Sequence, residues 1–407
     1  MSEEKLVPKL RFLEFTDEWS EHKFENIFDI KNGLNKGKDY FGEGIRILNY
    51  MDVNKYELNT ENTIKGLVEL TDDEIERYSV KPNDLFFTRT SETSEEIGLT
   101  SAYMGNTIKC VFSGFLLRAR PKIDLNSLFF AYYLRSPRQR NNIIKFSSIT
   151  TRALISGGNL SKMKIKYPRI EEQNKIANLF LILDKKVELL EKKYREYQCF
   201  KKYLMQKLFA QELRFADCTG EWNLFKLGDI VELMRNGCSE NQVSFETEFP
   251  VTRIETISKG ILNFDKVGYV EKIDSSYLLQ YGDILLSNIN SLKYIGNCVF
   301  FDEDKPLYHG MNLMLMRFKD DFNKKYLFYY MKFYQQWFQK MACQAVNQAS
   351  INQSSLKKFP FYIPPTIDEQ NKIVNVIDDT EHKINSIEDQ IIKMEEFKKG
   401  LLQQMFV

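Results

Sequence analysis

Two stretches of the chain carry apolar residues at alternating spacings of four and three. In the first, Ile176, Phe180, Leu183, Val187, Leu190, Tyr194, Tyr197, Leu204 and Leu208 form the stripe, with Lys201 at a skipped position. In the second, Ile373, Ile377, Thr380, Ile384, Ile387, Ile391, Met394, Leu401 and Met405 do so around Lys398. This is the a/d pattern of a coiled-coil seam. Pro168 and Pro364-Pro365 stand just upstream, and neither Pro nor Gly interrupts the second stripe before Gly400. Each helix should therefore run about 40 residues, roughly 60 Å. Each stripe could pack on its own domain or on the other helix. Their length, narrowness and shared register favour a pair, antiparallel if the two copies are related by a twofold.

The intervening residues, 19–167 and 222–363, read as mixed α/β. Short apolar runs bounded by Gly and Asn predict strands at 45–48, 84–88, 110–112 and 115–119, and at 284–287, 297–301 and 313–318. Aromatic and aliphatic residues at helical spacing predict one helix over 126–145 and another over 323–341.

The chain is also a duplication. Glu172-Gln173-Asn174-Lys175-Ile176 returns as Glu369-Gln370-Asn371-Lys372-Ile373, shifted by 197, and Phe200-Lys201-Lys202 returns as Phe397-Lys398-Lys399. Leu10-Arg11-Phe12 with Glu18-Trp19 returns as Leu213-Arg214-Phe215 with Glu221-Trp222, shifted by 203, and Asp84-Leu85-Phe86 resembles Asp283-Ile284-Leu285. The expected architecture is two α/β (α+β) domains in tandem duplicate, 1–167 and 214–363, joined by two long antiparallel coiled-coil helices, 168–213 and 364–407, with pseudo-twofold symmetry. The second copy of the Leu-Arg-Phe segment follows the first helix, whereas its first copy lies at the N-terminus. Equivalent placement of both copies requires the chain's two ends to be adjacent.

Charge distribution says more than net charge, which is only +1. No Asp or Glu occurs from Leu125 to Ile170, a span holding Arg135, Arg138, Arg140, Lys145, Arg152, Lys162, Lys164, Lys166 and Arg169. The equivalent span, Phe322 to Ile367, is also free of acids and holds Lys324, Lys325, Lys332, Lys340, Lys357 and Lys358. With 56 acidic residues in 407, two such windows at matching positions point to a polyanion. A solvated basic face without a ligand would look the same. Within or beside these windows, loops dense in small polar groups supply candidate DNA-binding residues: Arg89, Ser91, Thr150, Thr151, Arg152 and Asn159, with Arg135, Arg138 and Arg140, in the first copy, and Asn288, Asn290, Lys340, Asn347, Gln348, Ser350 and Asn352 in the second. Asn and Gln can bond adenine bidentately, Arg can bond guanine so, and Ser or Thr suits either.

Other classes find little support. Hydrophobic content of 43% with 31 Phe and 21 Tyr is that of a chain with packed cores. No apolar run is long enough to span a bilayer, and the N-terminal MSEEKLVPKLRF lacks a signal-peptide core. Six scattered Cys include no C-x-x-C pair, so neither a disulfide framework nor a zinc knuckle is suggested and a cytoplasmic location is expected. There is no phosphate loop, dinucleotide fingerprint, base-methylating N-P-P-Y or D-P-P-Y, or H-E-x-x-H. The pair Asp29 and Lys31 matches the tail of a nuclease motif, but Glu232 and Met234 stand at the equivalent place. No catalytic residue, metal or cofactor is expected in this chain.

The Leu-Arg-Phe…Glu-Trp segment opening each copy, followed by Lys23-Phe24 or Lys226-Leu227-Gly228-Asp229, resembles the start of a target recognition domain. The Pro168…Glu172-Gln173 and Pro365…Glu369-Gln370 signatures resemble those that open its spacer helices. Over essentially its whole length the chain resembles the specificity (S) subunit of type I restriction–modification systems. That resemblance implies double-stranded DNA as a ligand, two modification subunits that methylate adenine with S-adenosylmethionine, and two restriction subunits that use ATP and Mg. Each recognition domain would read one half of a split, asymmetric target, and the helices would set the gap. Two other readings stay open on the residues alone: a self-sufficient DNA-modifying or DNA-cleaving enzyme with unrecognised motifs, and a coiled-coil scaffold that does not bind DNA.

Overall fold

The computed structural model describes residues 7–106, 109–149, 152–258, 260–344 and 348–407. Compactness divides the chain into one unit of residues 1–192 with 388–407 and a second of 193–387. Both divisions fall inside long helices, Ile170–Phe209 and Ile367–Gln404, which have the lengths the heptads require.

In the first unit a five-stranded sheet runs in the order Phe28–Asn32, Leu116–Pro121, Asp84–Thr88, Thr100–Tyr103 and Leu58–Asn59, antiparallel except for the last pair. Its central strand, Asp84–Thr88, carries the apolar run Leu85-Phe86-Phe87 because both faces are covered there. Leu85, Phe87, Leu117 and Ala119 point into a core shared with the helix Ser127–Arg135 and the start of the first long helix, while Phe86 and Leu116 point into a second core with Leu48, Phe112 and Val53. The second unit repeats this with four antiparallel strands, Val231–Asn236, Met314–Phe318, Ile284–Leu286 and Cys298–Phe300. There Ile284 and Leu286 face one core and Leu285 the other.

Each segment expected as one helix over 126–145 or 323–341 is two. Pro137 takes the first helical position of Pro137–Lys145, so Ser136 before it is extended (φ −62°, ψ 148°) and the helix Ser127–Arg135 stops there. In the second unit Tyr334 (φ −91°, ψ 25°) separates Lys324–Phe333 from Gln335–Met341. Gly98 (φ 63°) and Gly296 (φ 80°) make the equivalent left-handed turns, each so close to that second helix that a Cβ would fall within 3 Å of Ile143 or Phe338.

The repeated Glu-Gln-Asn motif is a structural lock. The carboxylate of Glu172, 2% exposed, accepts two hydrogen bonds of 2.7 Å from Arg11. Glu369 accepts bonds of 2.8 and 2.9 Å from Arg214, and one of 3.1 Å from the Trp222 indole. Gln173 and Gln370 accept from the backbone N–H groups of Asn126 and Asn323, both at 2.9 Å, and Asn174 and Asn371 accept from those residues' side chains. The Leu-Arg-Phe segment also reaches a helix end: Leu213 N–H donates to the Lys207 carbonyl, and Leu10 N–H donates to that of Gln404. The chain's ends therefore meet within the first unit, as equivalent placement requires.

The two long helices run antiparallel inside each unit. In the first, Ile176, Phe180 and Leu183 share a core with Leu401, Met405 and Phe406, and the Phe180 and Phe406 rings stack at 5.7 Å. In the second, Leu204 and Leu208 share a core with Ile373 and Ile377. Phe180 also lies 5.0 Å from Tyr132 of the domain, so the stripe packs on both partners rather than on one. Ile384 and Ile387 are buried, whereas Val187, Leu190 and Ile391 are half-buried.

The skipped lysines have partners. Lys201 pairs with Glu381 at 2.8 Å over the Tyr329 ring, and Lys398 pairs with Asp184 at 2.5 Å and Glu57 at 3.4 Å over Tyr132. Burial pushes the carboxyls of Glu57 and Glu381 up, but the charges of Arg135 and Lys398 on the one, and the hydrogen bond and charge of Lys201 on the other, leave both below the usual carboxylate range. A carboxyl depressed in the folded state stabilises above its unfolded pKa, roughly 4.3, and that contribution is lost as pH falls through the folded value. Lys201→Met should therefore destabilise the second unit at neutral pH and move its acid unfolding to higher pH; identical acid limbs in variant and parent would refute this. Glu369→Ala, which strands Arg214 and the Trp222 N–H, should cost about 3 kcal/mol in urea unfolding, and a loss under about 0.5 kcal/mol would show that the lock is idle.

Candidate nucleic-acid interface

In each unit the polar loops singled out in the sequence come together in one small sheet. In the first, Thr90–Ser91 pairs with Ala153–Leu154, which pairs with Ser148–Ile149. In the second, Ile289–Asn290 pairs with Ala349–Ser350, which pairs with Cys343–Gln344. The frame is the same: Ile155 N–H donates to the Arg89 carbonyl as Ile351 N–H does to that of Asn288, and Ala153 and Ala349 are both buried at 2%. The side chains on that frame differ, Arg89 against Asn288 and Leu154 against Ser350. Ile149 (58% exposed) and Arg152 (side chain 70% exposed) stand at the surface of the first sheet, and Gln348 and Ser350 at that of the second. Thr150, Thr151 and Asn347 lie outside the described residues.

Several candidates have other work. Arg135 is no surface cation: it donates to the carbonyls of Thr100 (2.7 Å), Val53 (2.5 Å) and Asn54 (3.1 Å), closing the C-terminus of the helix Tyr50–Lys55. Burial lowers its pKa against the opposing charge of Glu57. Arg140 donates to the carbonyls of Glu95 (3.0 Å) and Ile97, and burial holds it down to about 10. Ser91 is buried, bonded to Tyr50 and Glu96. Asn288 is 4% exposed and donates to the Ile351 carbonyl. Asn290 donates to Ser287 and accepts from the Ser291 N–H. Asn352 caps the turn Gln353–Leu356 by accepting from Ser355 N–H at 2.8 Å, and Ser156 Oγ does the same for Asn159, whose side chain is half-buried. Arg89 is half-buried and Arg138 exposed, the latter beside Lys9 and Lys166 in a cleft of the first unit.

The acid-free windows are only partly basic surface. Carboxylates outside the windows answer many of their cations: Glu21 pairs with Lys164 (2.8 Å), Asp17 with Arg169 (3.3 Å) and Asp378 with Lys325 (2.9 Å), all distant in sequence, and Asp320 pairs with Lys324 (2.8 Å) one helical turn away. Lys145, Arg152, Lys162, Lys340, Lys357 and Lys358 are exposed. Beside the first small sheet the structure adds a concavity of about 530 Å³ that the sequence did not reveal, with Tyr50, Glu96 and Phe115 in its wall. These three lie outside the acid-free window and are brought in by separate elements. Among the described residues, no group of three His, Cys, Asp or Glu side chains is placed to hold a metal ion, and no helix is long and apolar enough to cross a membrane.

The model of the type I restriction modification DNA specificity domain matches the chain twice, over residues 16–196 and 219–396. A type I restriction enzyme MjaX specificity subunit of Methanocaldococcus jannaschii is 39% identical over 195 residues, which span 46% of this chain and 45% of that one. The type I restriction enzyme EcoKI specificity subunit of Escherichia coli K12 is 22% identical over 78% of this chain and 71% of its own. A crystal structure of the S subunit of a type I restriction–modification system from M. genitalium, 16% identical, covers 98% of this chain and 99% of its own with a TM-score of 0.59, which shows a common fold. With the family domain matched over most of its length, and twice, the chain belongs to the type I restriction modification DNA specificity family and carries two tandem recognition domains.

Proposed function

We propose that this chain is the sequence-reading subunit of a type I restriction–modification complex, non-catalytic alone. Each unit reads one half of a split, asymmetric DNA target, and the paired helices set the gap between halves. The observation that carries this is the pair of small sheets: one backbone frame, built twice, presenting the exposed Ile149, Arg152 and Leu154 in one copy and Gln344, Gln348 and Ser350 in the other. Identical frames with different edges suit two different half-sites. Two modification subunits would supply adenine methylation from S-adenosylmethionine, and two restriction subunits would supply cleavage with ATP and Mg, in the cytoplasm. The chain's own part is to bind and position.

Mapping methylated adenines in a host that carries the complex should report a two-part motif. Exchanging residues 222–363 for those of a relative should change one half only; a change in both halves would overturn the modular reading. Two arginines separate recognition from folding. Arg152→Ala should weaken DNA binding about tenfold, with affinity still falling steeply as salt rises, and should leave the unfolding midpoint in place. Arg135→Ala should cost about 3 kcal/mol of stability. Unchanged affinity in the first variant would remove the small sheet from the interface.

A further inference from the structure

The concavity beside the first small sheet holds a carboxylate where a DNA-facing surface would ordinarily exclude one, since phosphates repel it. Glu96 is exposed. Two hydroxyls converge on one of its oxygens: Tyr50 donates to Oε2 at 3.1 Å and Ser91 to the same atom at 3.3 Å. Oε1 accepts no hydrogen bond among the described residues. The carboxylate is thus held by one oxygen and offers the other. Phe115, 61% exposed, supplies an apolar wall, and Arg152 stands at the rim, its guanidinium 3.8 Å from Glu92.

A fixed carboxylate oxygen accepts hydrogen bonds only. At the edges of base pairs in the major groove, the donors are the N4 amino group of cytosine and the N6 amino group of adenine; guanine O6 and N7 and thymine O4 are acceptors and would be repelled. We propose that Glu96 is a specificity-determining residue of the first unit, accepting from the exocyclic amino group of a cytosine or adenine, and that Tyr50 is a positioning residue acting through it. The equivalent glycines Gly98 and Gly296 align Glu96 with Tyr294, so the second unit offers no carboxylate there and one half of the target alone depends on this group. The inference rests on the DNA-reading role proposed above.

The test is selection of bound duplexes from a random-sequence DNA pool by the full chain with the subunits that copurify with it. The parent should enrich a two-part motif with cytosine or adenine fixed at the position in question. Glu96→Gln, whose amide can donate as well as accept, should cut discrimination at that position about tenfold. Glu96→Lys should turn the preference toward guanine or thymine. Tyr50→Phe should loosen the same position by less, with every other position unchanged, an effect that a general loss of fold would not produce. Motifs identical to the parent's in both Glu96 variants, with unfolding midpoints unchanged, would overturn the assignment, as would changes spread over both halves. Failure of the parent itself to enrich any sequence would instead bring down the DNA-reading role and this inference with it.

Discussion

A buried carboxylate at the head of each long helix is the constraint from which the rest of each unit follows. Glu172 and Glu369 are almost wholly removed from water, at a cost of several kcal/mol per ion unless a counter-charge and hydrogen bonds meet them. Arg11 and Arg214 do so with two bonds each. That geometry brings the Leu-Arg-Phe segment against the start of one helix, while the same segment's backbone bonds the end of the other. The next residues, Ser20–Lys23 or Asn223–Lys226, then pair with the strand that leads into the long helix. One ion pair thereby fixes the helix start, the opposite helix's end and the edge of the domain.

What the sequence shows well is what repeats or has a period. The heptads specify both helices because a seam that packs on a helix and on a domain leaves one long apolar stripe, skipped at Lys201 and Lys398. The strand cores 84–88 and 110–112 are apolar without alternation because both faces of their sheets are covered, and their bounds are legible for that reason. The Glu-Gln-Asn motif is visible as a signature, but its purpose is not, since Arg11 lies 161 residues from Glu172.

Charge was the less faithful guide. An acid-free window describes sequence neighbours, whereas ion pairs join spatial ones. Arg135 and Arg140 are spent on backbone carbonyls, and Lys164 and Lys325 on acids from other elements. Lys201 and Lys398 look like defects in a seam until Glu381 and Asp184 are seen opposite them. Conversely, Glu96 draws no notice in the sequence, because nothing local shows that Tyr50 and Ser91 hold it. The small sheets separate two tasks that one loop would otherwise confuse: Ala153, Ala349, Ile155 and Ile351 keep the frame, and their neighbours differ between the two copies.

The first unit takes residues 388–407 as part of its core. During synthesis those residues leave the ribosome only after the whole second unit. Until then Phe129, Tyr133 and Phe180 lack Phe406, the ring they pack against. The core of the second unit holds no described residue later than Ile377. The order of completion is therefore the reverse of the order of translation, and the nascent first unit carries an uncovered aromatic face for most of that time, a target for chaperones and for aggregation alike.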